Sequence, residues 1–174
     1  MRRGTVGTVG AVALGCAIGL AGCTAPADTA APLPSGVTSS AFDEGGAIPA
    51  RYTCDGEDVS PPLSWAPFDL PAAAIAVVVT DPDAGGFVHW VVGPLPMATT
   101  SLPEDASADP DLPQGANDFG DVGWGGPCPP SGTHHYVFTV VSLPTTPPEP
   151  ITAAAVLGAQ DVQGGTLTGT YTRP

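Results

Sequence analysis

The chain has 174 residues, 43% of them hydrophobic, which is enough for one ordinary domain with a real core, too few for two, and too apolar for a disordered chain. Its 4 Lys and Arg against 17 Asp and Glu set a formal net charge of −13, a surface that repels nucleic-acid phosphates and anionic lipid alike. The 23 Gly and 22 Pro call for many turns and so favour short strands over a helix bundle.

At the N-terminus, Arg2 and Arg3 precede an apolar, glycine-interrupted run over residues 6–20. Small residues then lead to Cys23, the pattern of a secretory signal over residues 1–22. The tetrapeptide Leu20-Ala21-Gly22-Cys23 resembles the bacterial lipobox, which implies cleavage before Cys23, acylation of that thiol, and a domain tethered to the outer side of a membrane. An uncleaved span is the lesser alternative, because the run is short for a bilayer. After processing, Arg51 and Arg173 are the remaining basic side chains, and no lysine is left.

Residues 23–39 combine the lipidated cysteine with an Ala/Pro/Ser/Thr stretch that has no apolar period and reads as a flexible tether. The folded domain is expected over residues 40–174. With Cys16 lost and Cys23 acylated, Cys54 and Cys128 remain, and in an exported protein the simplest expectation is one disulfide. It would contribute roughly 4 kcal/mol in the chain-entropy account. Two buried free thiols are the alternative.

Residues 74–80 (AIAVVVT) form a continuous, mostly β-branched run suited to a strand buried on both faces. The turn DPDAGG at 81–86 leads to a second strand at 87–92, making an antiparallel pair. Residues 94–132 read as a long loop of the kind that is functional or mobile. A third strand follows at 135–143, with Tyr136, Phe138 and Val140 on one side. Residues 152–160 have the composition of a short helix with Thr152 as N-cap, and 165–171 read as a last strand. The fold class is therefore mostly β with minor α.

All three histidines lie in two short segments, DPDAGGFVHW at 81–90 and DFGDVGWGGPCPPSGTHHY at 118–136. Asp81 ends one strand, His89 lies near the start of the next, and His134 stands at the mouth of the third. Imidazoles, a tyrosine hydroxyl and the amides of a Gly/Pro loop could together hold a small anion, with Asp81 orienting an imidazole. Each residue has a plainer role: Asp81 and Asp83 as turn formers, His89 as a core histidine, His134 and His135 as loop residues, Trp90 and Trp124 as filling.

DPDAGGFVHWVV, GANDFG and GWGGPCPPSGTHHYVF, together with YTCDGEDVSPPLSW and GTLTGTY, resemble the bacterial, Raf kinase inhibitor-like branch of the phosphatidylethanolamine-binding protein family. The resemblance runs in order from about residue 40 to 173. It implies a large central antiparallel sheet packed on a smaller one, a C-terminal helix, and a small pocket for phosphate-like anions, including phospholipid headgroups. Matched motif by motif, the ligand-binding positions are Asp81, with Asp83 beside it, His89, Gly126, Pro127, His134 and Tyr136. His135 stands where many relatives have arginine, so the pocket's positive charge is expected to depend on histidine protonation.

The resemblance implies no cofactor and no metal. GxSxG, HExxH and P-loop patterns are missing from the sequence, so a membrane-anchored binding protein rather than an enzyme is the leading expectation. The alternatives are an inhibitor or interaction module acting on a protease or kinase, and a metal-dependent hydrolase built on the His/Asp cluster. The protein partner stays unknown.

Overall fold

The computed structural model describes residues 36–68, 71–159 and 163–173. The signal segment, Cys23 and most of the expected tether lie outside these described residues. Within them the strands are β1 (Val37–Thr38), β2 (Leu63–Trp65), β3 (Ala74–Asp81), β4 (Phe87–Leu95), β5 (Ser101–Leu102), β6 (Gly132–Leu143) and β7 (Gly164–Arg173). They form two antiparallel sheets, a larger one ordered β4-β3-β6-β7 and a smaller one ordered β1-β2-β5.

β3 holds the centre of the large sheet because its run of Ala, Ile and Val can be buried on both faces. Ile75, Val77 and Val79 join Tyr136, Phe138 and Val140 of β6 and meet Val37, Leu63, Trp65 and Leu102 of the small sheet. The side-chain alternation expected for β6 is therefore present. On the opposite face Ala76, Val78 and Val141 pack under Ile151 and Val156, the latter carried by the helix α1 (Ala153–Leu157). Each fully buried Val, Ile or Phe contributes about 2 kcal/mol. Thr152 caps α1 as expected, its side chain accepting from the Ala155 amide at 3.2 Å.

Two departures from the sequence reading matter for the site. Val37 and Thr38, placed in the flexible tether, are already strand, paired to Trp65 and Ser64. A two-residue strand among Ser and Thr has too little length to show a period, and its partner is needed to order it. The long stretch 94–132 is less a free loop than a cover for the outer edge of β4. Gly93 donates to Pro113 O at 2.8 Å, Gly115 to Val91 O at 3.0 Å, Asp118 to Val88 O at 2.9 Å, and Gly125 to His89 O at 3.0 Å. An edge paired in this way cannot recruit another chain.

The expected disulfide joins Cys54 to Cys128, with Cα atoms 5.5 Å apart. Together with the 3.2 Å bond from the Cys54 amide to Pro127 O, it fastens the Gly/Pro loop to residues 52–58.

Candidate functional site

The β3–β4 pairing passes from Val79↔Trp90 to Thr80↔Val88 and skips His89. His89 is thus the additional residue of a β-bulge, a device that re-aims a side chain at the end of a sheet. The re-aimed imidazole is 3% exposed. Its Nδ1 lies 2.6 Å from Gly125 O. A carbonyl only accepts, so Nδ1 carries the proton and Nε2 is left for other partners. Burial pushes the His89 pKa below its ordinary value, against the opposing pull of the Gly125 bond and the Asp81 charge.

Asp81 is 3% exposed at the end of β3. One oxygen accepts from the Ala84 amide at 3.0 Å and caps the 3-10 turn Pro82–Ala84; the other receives His134 Nδ1 at 2.7 Å. One oxygen therefore caps the turn while the other positions an imidazole. The imidazole it orients is His134 on β6, not the neighbouring hairpin residue His89. His134 Nε2 remains for other partners.

Tyr136 sits between these groups, fully buried, its ring edge-on to His89 at 5.1 Å. Its hydroxyl makes no hydrogen bond of good geometry, although the Asp81 carboxylate is near enough to draw weakly on its proton. Burial first, and then that negative charge, push the phenol well above its ordinary pKa, so it stays a neutral O–H donor. An unpaired buried hydroxyl costs free energy, and here it lies beside two imidazoles with uncommitted nitrogens, as the buried Trp124 indole N–H also goes unpaired nearby.

Gly126 and Pro127 are both buried. The Gly126 amide donates to Asp58 Oδ1 at 2.8 Å, and a Cβ at this position would come within 2.3 Å of the same oxygen. Glycine is required here by close backbone approach, which presses the Gly/Pro loop against residues 52–58 and sets Gly125 under His89.

Asp83 does not join this group. Its Oδ2 accepts from both the backbone amide and Nδ1 of His135, each at 2.8 Å, on the exposed surface. Those bonds hold the Asp83 carboxyl below its ordinary pKa. His135 is spent on this pair. The two arginines are spent likewise: Arg51 on Glu57 and Glu104, and Arg173 on Asp55. Among the described residues, every Arg and two of the three histidines are paired with carboxylates.

Three contributors escaped the sequence reading. Phe87 and Phe119 stack edge-on to one another at 4.8 Å and both pack on His89. Asn117, buried, braces the turn that carries Phe119: its Oδ1 accepts from the Phe119 and Asp121 amides at 3.0 and 3.1 Å, and its Nδ2 donates to Gly123 O at 3.0 Å. The signal available was the Asn-Asp-Phe-Gly string, whose Asn is a good turn former. Trp90 is core, its indole N–H donating to Gln114 at 2.7 Å, and Trp124 packs between Trp90 and Phe138. No three His, Cys, Asp or Glu side chains converge as metal ligands among the described residues.

With this geometry in view, the comparisons with known proteins are specific. The family model described as phosphatidylethanolamine-binding protein matches residues 38–172. An Archaeoglobus fulgidus protein named "UPF0098 protein" is 41% identical over 143 residues, covering 77% of this chain but half of its own length. A Mycobacterium tuberculosis protein named "Putative lipoprotein LppC" is 40% identical over 147 residues, covering 80% of this chain and 69% of its own. Among solved structures, Escherichia coli YbcL, described as a member of the mammalian family, superposes with a TM-score of 0.69 at 31% identity, covering 80% of this chain and 98% of YbcL. A Chlamydia trachomatis homologue superposes with a TM-score of 0.68 at 34% identity, covering 79% of this chain and 97% of its own.

Proposed function

The chain belongs to the phosphatidylethanolamine-binding protein family, and from that premise we propose that it is a binding protein whose site takes a small phosphate-like anion, free or as a headgroup. The carrying observation is the buried Tyr136 hydroxyl, which makes no hydrogen bond of good geometry and lies beside His89, with His134 two residues before it on β6. Tyr136 O–H donates to the anion, and His134 donates from Nε2 when protonated, held in place by Asp81. Neutral His89 offers a lone pair at Nε2, which accepts from a protonated phosphate oxygen; protonated, it becomes a second donor. Burial lowers the His89 pKa, so this second donor appears, and binding strengthens, as pH falls below the ordinary histidine range. No step of bond breaking is assigned to these groups, and the role is binding rather than turnover.

We also propose export and anchoring through an acylated Cys23, supported by the signal pattern and by the lipoprotein name of the mycobacterial relative. No helix among the described residues is long and apolar enough to cross a membrane. Mass spectrometry of the N-terminal peptide from the cell-derived protein checks this, and an unmodified thiol at residue 23 would defeat it.

Calorimetric titration tests the site. Inorganic phosphate and phosphoethanolamine should both bind the wild type, and His134→Ala should weaken each about 10- to 100-fold, the worth of one charge-assisted hydrogen bond. A gain for phosphoethanolamine over phosphate identifies a headgroup; equal affinities identify the free anion. Identical isotherms for wild type and His134→Ala would remove His134 from the site.

A further inference from the structure

We propose that Phe119, supported by Phe87, is the specificity-determining element of this site, and that it selects phosphate monoesters bearing an aromatic group over those bearing a small alkyl group. The inference rests on the anion-binding reading and names the ligand class within it.

Four rings form one cluster that meets at His89. His89 and Tyr136 are the inner, buried pair, while Phe87 is half-buried and Phe119 is 49% exposed, so the outer pair forms the solvent-facing side of the cluster. The rings meet edge to face: Phe87–Phe119 at 4.8 Å and 68°, His89–Phe119 at 5.4 Å and 75°, His89–Tyr136 at 5.1 Å and 85°. An aromatic ring on the ligand's ester oxygen would extend this arrangement in the geometry that aromatic pairs prefer.

The exposed ring is held rather than loose. Its own amide is bound by Asn117 Oδ1, and Asn117 also ties down Asp121 and Gly123 on the far side of the turn. The ring lies directly on Gly125, where a Cβ would come within 2.5 Å of Phe119 Cδ2. Gly125 is the residue whose carbonyl orients His89, so the apolar face and the polar site are built on one short stretch of backbone. A large ring fixed with half its surface in water loses little freedom on binding and gains by being covered.

Charge offers a second argument. With both arginines and His135 committed to carboxylates, and a net charge of −13, general electrostatic attraction for an anion is weak. Contact with the apolar rim supplies affinity that charge does not.

Titration of inorganic phosphate, methyl phosphate and phenyl phosphate into wild type, Phe119→Ser and Phe119→Leu tests this. The two esters share the charged group, so their affinity ratio isolates the ring. The wild type should prefer phenyl phosphate about tenfold, the worth of one aromatic contact. The ratio should fall towards one in Phe119→Ser, with Phe119→Leu in between and available should the serine variant unfold. A wild-type ratio near one, or a ratio that persists in both variants, overturns the proposal while leaving anion binding intact. If none of the three compounds binds the wild type, the anion-binding reading fails and this inference with it.

Discussion

Asp81 meets His134 and Asp83 meets His135 between the same turn and the same strand, at 2.7 and 2.8 Å. The first pair is sunk into the molecule, its side chains 4% and 16% exposed; the second lies on the surface at 43% and 51%. Consecutive residues of β6 point to opposite sides, so His134 and His135 are delivered to different media by strand alternation alone. On the other segment the turn Pro82–Ala84 carries Asp83 away from the face that Asp81 occupies. The lesson is that identical chemical groups acquire different roles from solvent access. The buried pair is positioned and surrounded by groups with unfilled hydrogen-bonding capacity, whereas the exposed pair screens itself with water and salt.

The largest expected contrast is in stability. Asp81→Ala removes the partner of a partly buried imidazole and the cap of a turn at once, and should destabilise the fold by about 3 kcal/mol. Chemical denaturation of the variant checks this, and a loss no greater than that of a surface substitution would mean the pair is solvated in practice.

A smaller effect is expected from pH and involves His89. Its folded-state pKa lies below the ordinary 6.5 because burial disfavours the imidazolium. Between that depressed value and 6.5 the unfolded chain binds a proton that the folded chain does not, so the contribution of His89 is complete above 6.5 and is lost as pH falls through the window. Urea midpoints followed across the acid range should decline more steeply for wild type than for His89→Gln. Parallel curves would show that His89 titrates alike in both states. Saturating phosphate should flatten the wild-type decline, because the anion favours the protonated form.

The smallest effect closes the comparison. Asp83→Ala should leave the unfolding midpoint unchanged and shift phosphate affinity little, since the surface pair touches neither Tyr136 nor His89. A loss of binding equal to that of His134→Ala would move His135 and Asp83 into the site and erase the distinction between the pairs.

Much of the fold was legible because its evidence is local. The β-branched run of β3, the Asp-Pro-Asp turn, the alternation of β6 and the Thr152 cap each act within a few residues. The small sheet was not legible, because strands of two or three residues carry no period and exist through their partners. Of the candidate site, residue types and their approximate neighbourhood could be read, but not the pairing. Asp81 and His134 are 53 residues apart, and they meet because β3 and β6 are adjacent in the sheet.

By itself the sequence determined the fold class, the cysteine pair left for a disulfide, and the concentration of histidine and aspartate in two segments, all consequences of residue type and short-range order. Tertiary structure alone decided that His89 is the residue β3 skips, that Gly125 orients it, that Asp81 serves His134, and that Phe119 packs on His89. These depend on register between distant strands, where a shift of one residue reverses which side chains face inward, and no local pattern records that choice.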